Sequence, residues 1–269
     1  MPDAGRRCEN PHVDGWGRVS DDAQQSLYSD PGEYASLFDT VEPTIAGVSA
    51  MARNLIVHYQ ASGVELPAES RRDIDLRWIE PILGTDQQRH HAPLDRERPA
   101  EARVQGCCRD HCLLAVAALR HHGVPARTRV GFASYLIEAW YSDHVVVEMW
   151  DDGTWRRFDP EVAEPLSGLP DPTDIPISRA APFVTAAEVW LGHRDGQLDV
   201  TRYGAVEHAV LRGEPFVYAK VVCELAHRLR RAPVVGSVGD NGPSPVGRAA
   251  ARPGSRRRGC RVARRRRQR

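Results

Sequence analysis

The hydrophobic and polar positions of this chain sort into helix-period and strand-period stretches. Between residues 44 and 60, Ile45, Val48, Ala52, Leu55, Ile56 and Tyr59 recur at 3.6-residue spacing, which predicts an amphipathic helix. Residues 110–122 predict a second helix that is apolar over most of its surface (Leu113, Leu114, Val116, Ala117, Leu119) and therefore buried. Gly123 and Pro125 end it. Residues 126–133 then alternate, with Thr128, Val130 and Phe132 on one face and Arg127 and Arg129 on the other, as a strand does. His144-Val-Val-Val-Glu-Met-Trp150 is a strong strand, Asp151-Asp-Gly153 a hairpin turn, and Thr154–Asp159 the returning strand. Residues 186–193 and 215–227 predict two more helices. Helix, strand, then hairpin gives an α+β order with a mainly antiparallel sheet.

Other stretches carry weaker patterns. Residues 1–29 are polar and expected to be poorly ordered, and Asp30-Pro31 marks a helix start. Residues 86–103 are charged, contain two prolines, and predict a surface loop. Residues 160–182 are proline-rich and predict an irregular excursion. A single domain over 30–231 follows, with additional helices at both ends of its core. From about residue 232 apolar periodicity stops and Gly, Pro, Ser and Arg dominate, so a disordered tail is expected over 232–269.

Charge sharpens that boundary. The 36 basic and 36 acidic residues cancel, but residues 241–269 hold 11 Arg and no acid, leaving residues 1–240 with a net −11. Lys220 is the only lysine. The Arg-rich tail predicts non-specific attraction to nucleic acid or acidic surfaces, with no aromatic interleaving to support specific binding. An unselected extension of the reading frame accounts for it equally well. The start of the chain lacks the apolar stretch of a secretory signal and no apolar run spans a bilayer, so a cytoplasmic protein without membrane contact is expected. Six cysteines are too few for a disulfide scaffold.

Three cysteines fall within residues 107–112. Cys108 stands where a turn meets the buried helix, and the partial positive charge of a helix N-terminus favours its thiolate. His144 begins one strand of the hairpin and Asp159 ends the other, which places them side by side. A nucleophile, a base and a group that orients the base are the parts of covalent catalysis. Asp110, in the first turn, is expected to cap backbone N–H groups. The backbone N–H of Cys108 is a candidate oxyanion donor and Gln105 a second, so Gln105 and Asp110 are the site-supporting candidates. His111, His121 and His122 with Cys107, Cys108 and Cys112 offer a metal reading, but no paired Cys-x-x-Cys knuckle exists, and no metal or other cofactor is expected.

These residues resemble the core of the transglutaminase-like superfamily. Gly106-Cys-Cys108-Arg-Asp110, then Ala118-Leu-Arg120-His-His-Gly123-Val-Pro-Ala-Arg127, then His144-Val-Val-Val-Glu148, then Trp155-Arg-Arg-Phe-Asp159-Pro160 stand in the family's order on the predicted elements. Asp30-Pro-Gly-Glu-Tyr-Ala-Ser-Leu-Phe38 looks similar to small stand-alone bacterial members. The resemblance implies a papain-like scaffold with Cys108, His144 and Asp159 as triad. It implies a cysteine-dependent amide hydrolase or acyltransferase working through a thioester on a protein, peptide or small amide. Two positions depart from the pattern: Val145 replaces an aromatic residue, and Cys107 adds a second thiol. The alternative is an inactive binding module on the same scaffold.

Overall fold

The computed structural model describes residues 18–205 and 210–229. The remaining parts of the expected polar start and the whole of the expected tail, 232–269, lie outside them. Within 18–29 the chain packs: Gln25 donates to the Ala117 carbonyl, and the Arg120 guanidinium donates to the Asp22 carbonyl and Ser29 Oγ. A polar segment can dock this way when its partners are backbone groups rather than apolar side chains.

The architecture is α+β. Helix α1 (Ile45–Leu55) is capped by Thr44, whose Oγ1 accepts from Gly47 N at 3.1 Å. It stops five residues short of the length its periodicity predicts. Ile56–His58 leaves the helix as strand β1 and pairs in parallel with β2 (Val104–Gly106). The β-branched Ile56 and Val57 suit a strand, but the partner that makes one lies more than forty residues on. Helix α2 (Ile79–His90) lies between them.

The polar stretch 86–103 forms the predicted surface loop over residues 91–99, most of them exposed, and departs from it elsewhere. Its first five residues belong to α2, and the rest wraps a fully buried Arg98. Arg98 donates from Nε to Asp86 Oδ1 at 2.6 Å and from Nη2 to Asp86 Oδ2 at 2.8 Å, and also reaches the Pro93 and Arg96 carbonyls. A bidentate ion pair with its remaining donors satisfied can sit inside a protein.

Helix α3 (Cys108–His121) is the axis of the core. One face of the four-stranded antiparallel sheet covers it. The strand order is β5 (Thr154–Phe158), β4 (Ser142–Asp151), β3 (Ala126–Ala133), β6 (Phe183–Thr185). Ala126, Val130, Val145, Val147, Met149 and Phe158 pack with α1 and α3 in one cluster. Asp152 and Gly153 both take positive φ, the conformation a two-residue hairpin turn requires.

The opposite face is charged. Glu148 is buried among Arg127, Arg129 and Arg157, which donate to it at 2.7–3.1 Å. Burial resists its charge, but the three guanidinium groups outweigh that and bring its pKa down to about 2. Arg127 also lies over the Trp155 ring at 3.7 Å. Helices α4 (Ala186–Arg194) and α5 (Gly213–Arg228) close this side, with Glu224 of α5 accepting from Arg129 Nε and Val130 N. Among the described residues no helix is long and apolar enough to cross a membrane.

Candidate active site

Strand β2 delivers the chain to α3 through Gly106, where a side chain would press on Asp110 and Ile56, each at 2.9 Å from an added Cβ. Cys107 is the N-cap. Its N–H donates to Asp110 Oδ2 at 2.9 Å, while Arg109 holds Asp110 Oδ1 at 2.7 Å. Asp110 therefore fixes the helix start, and its carboxylate is spent there. Cys108 is the first residue of α3 and only 7% exposed.

His144 and Asp159 meet as the hairpin predicts. His144 Nε2 and Asp159 Oδ2 lie 2.7 Å apart, both residues buried. Cys108 Sγ lies within 4.8 Å of a His144 ring nitrogen. With Nε2 committed to Asp159, Nδ1 is the nitrogen left for the sulfur. The structure thus brings Cys108, His144 and Asp159 together.

Gln105 differs from its sequence reading as an oxyanion donor. Both hydrogens of its amide are engaged, with Pro67 O at 3.0 Å and Ser70 Oγ at 2.7 Å, and its backbone N–H donates to Asp73. A side chain with no spare donor cannot hold an oxyanion; Gln105 anchors β2 instead. The backbone N–H of Cys108 stays suitable, because a first-turn N–H has no carbonyl four residues back within its helix.

Three further groups shape the site and were not read from the sequence. Tyr135 Oη donates to Asp159 Oδ2 at 2.7 Å, and its ring meets His144 edge-on. Glu161 donates its backbone N–H to Asp159 Oδ1 at 3.0 Å. One of its carboxylate oxygens lies within 4.8 Å of both Cys108 Sγ and His144. Glu161 directly follows the Asp159-Pro160 corner, so its position was a local clue; Tyr135, in the β3–β4 connection beside exposed Leu136 and Ile137, gave none. Lys220 on α5 pairs with Asp143 at 2.6 Å, tying that helix to the residue before His144.

The electrostatics depart from the expected thiolate. Contact with Cys107, burial and the nearby Glu161 push the Cys108 thiol well up, against the pull of the helix terminus. His144 is moved the opposite way to a buried neutral ring. Burial opposes its charge, yet the Asp159 charge and hydrogen bond prevail and bring its pKa up to about 9. Burial favours a neutral Asp159, but His144 and the Tyr135 hydroxyl hold its pKa below the usual value. Burial keeps His58, across from Glu161, uncharged near neutrality, its pKa down to about 4.

Comparison with known proteins gives three results. Residues 82–160 match the transglutaminase-like superfamily. Curated proteins yield no match. A solved structure described as "a Putative Cysteine Protease from Cytophaga hutchinsonii" aligns at 17% identity with a TM-score of 0.37. The alignment covers 62% of this chain and 51% of that one, so this chain spans about half the length of that relative.

Proposed function

Taking residues 82–160 as a core of the transglutaminase-like superfamily, we propose that this protein is a cysteine-dependent hydrolase or acyltransferase acting on amide bonds through a thioester. The observation that supports this most is the contact between His144 and Asp159 at 2.7 Å, with the Cys108 sulfur within 4.8 Å of the same imidazole.

The competent form carries one proton on the pair, as Cys108 thiolate and His144 imidazolium. The sulfur attacks the carbonyl carbon, and the developing oxyanion is met by the Cys108 N–H. His144 gives its proton to the departing nitrogen, the C–N bond breaks, and an acyl thioester remains on Cys108. Water or an acceptor amine then attacks, passes a proton to His144, and displaces the thiolate. Asp159 fixes the ring orientation and supports its charge. Tyr135 and the Glu161 N–H hold Asp159 in turn.

The burial of Cys108 favours a second reading, a binding module on the same scaffold that performs no chemistry. One experiment separates the two. The full chain is treated with p-nitrophenyl acetate and the acylated residue located by mass spectrometry. An acetyl group on Cys108, removed by hydroxylamine and missing from Cys108→Ser, supports the enzyme. Equal nitrophenol release by wild type and Cys108→Ser, with no adduct on Cys108, supports the binding module.

A further inference from the structure

The Glu161 carboxyl has no part in the reaction above. Its Oε2 is buried and has no hydrogen-bond partner among the described residues. Its Oε1 stands 4.0 Å from His58 Nε2, beyond hydrogen-bonding reach. A buried carboxylate oxygen left unpaired is costly, and it points to a missing partner.

The atoms around it identify that partner. A Glu161 oxygen, a His144 ring nitrogen and Cys108 Sγ all lie within 4.8 Å of one another. We propose that Cys108, His144 and Glu161 form a binding site for one zinc ion, which occupies the same atoms that the reaction needs and so holds the enzyme off. The inhibitory consequence rests on the proposed function; the site itself does not.

The donor set selects the ion. Sulfur, imidazole nitrogen and one carboxylate oxygen suit Zn²⁺, whereas Mg²⁺ and Ca²⁺ take oxygen ligands. His144 already has its other nitrogen on Asp159, the outer carboxylate that orients metal-bound histidines. Tetrahedral zinc, with bonds of about 2.0–2.3 Å, sets neighbouring donors roughly 3.5 Å apart. The three atoms therefore need to close by no more than about 1.3 Å. The Glu161 side chain, 19% exposed, has room to rotate toward the other two atoms. On binding, the S–Zn bond forms as the thiol proton leaves to solvent, and the N–Zn bond forms as the His144 imidazolium gives up the proton on its free ring nitrogen; no oxidant or reductant takes part. A fourth position stays open for water.

The test uses the full chain, stripped with EDTA and titrated with zinc against a chromophoric chelator. One zinc is expected to bind tightly to wild type, at least tenfold more weakly to Glu161→Gln, and not at this site in Cys108→Ser. In parallel, alkylation of Cys108 by iodoacetamide is followed by mass spectrometry. One equivalent of zinc should protect Cys108 in wild type, and EDTA should restore labelling. Unchanged affinity in both variants, or Cys108 labelling at full rate with zinc bound, places the ion elsewhere and overturns the proposal. Protection that is equal in wild type and Glu161→Gln removes Glu161 from the site and overturns it as well. Slow labelling of Cys108 without zinc would count against the proposed function, while the chelator titration would still report the metal site. Cys108→Ser is nearly isosteric and keeps the titration decisive should Glu161→Gln fail to fold.

Discussion

Replacing Asp159 with Asn removes the charge that sustains His144 while keeping the size of the side chain. The His144 pKa moves from 6.5 to about 9 in the fold, and at 1.36 kcal/mol per unit this is about 3 kcal/mol in favour of the imidazolium. Both residues are buried, so solvent screening takes little from that figure. At pH 7.5 the wild-type ring is mostly charged. Without Asp159, the burial that opposes the charge is left largely unanswered, and the ring becomes mostly neutral at the same pH. The sign for stability follows from a raised pKa: the contribution is complete below about pH 6.5 and is lost as pH rises through about 9. Part of the same energy appears as the lowered pKa of Asp159, so it counts once for the pair. The assay is long-range ¹H–¹⁵N NMR of histidine-labelled full chain, with His144→Gln to assign the resonance among 11 histidines. Urea unfolding at pH 6.5 and pH 9 gives the stability slope. Asp159→Asn should bring the His144 titration below 6.5 and flatten that slope. A wild-type His144 titrating at 6.5, or an unchanged titration in Asp159→Asn, refutes the reasoning.

The remaining predictions concern the scaffold. Glu148→Gln leaves Arg127, Arg129 and Arg157 gathered around a neutral group; a loss of about 3–5 kcal/mol is expected in urea unfolding. Since the Glu148 pKa is lowered to about 2, its contribution persists above pH 4.5 and fades as pH falls toward 2; acid unfolding should therefore begin at higher pH in the variant. Arg98→Ala strands Asp86 in the core and should cost about 3–5 kcal/mol. A melting temperature within a degree of wild type would contradict this. Gly131→Ala puts a Cβ against the Val184 carbonyl and 2.8 Å from Phe183 Cζ. It should force β6 from the sheet, read as faster amide exchange at Phe183–Thr185, the residues paired with β3.

The chemistry-bearing core was the most legible part of the sequence. Helix α3 and the β4–β5 hairpin announce themselves by local period and turn residues, and the hairpin brings Asp159, one residue past the end of β5, to the same end of the ribbon as His144, a diagonal neighbour rather than a direct partner. What stayed hidden depends on distant partners. Ile56–His58 continues a helical pattern until Val104–Gly106 pairs with it. Asp86 and Arg98 read as solvated charges because nothing local shows that each buries the other. Helix α2 carries Ile79, Ile82 and Leu83 on a buried face, but Pro81 and Gly84 blur its period. The thiolate expectation for Cys108 weighed the helix terminus alone. Burial and the neighbouring Cys107 act in the opposite direction; both are legible in the sequence, but their weight against the helix terminus is set only by the packed site.

The central claim is that His144 makes Cys108 a nucleophile. The rate of Cys108 carboxamidomethylation by iodoacetamide, resolved by peptide mass spectrometry and compared between wild type and His144→Ala at pH 7, tests it most directly. Labelling of Cys108 in wild type should exceed that of buried Cys223 in the same molecule, and should fall at least tenfold in His144→Ala. Equal rates in the two proteins, or a Cys108 no faster than Cys223, would contradict the account.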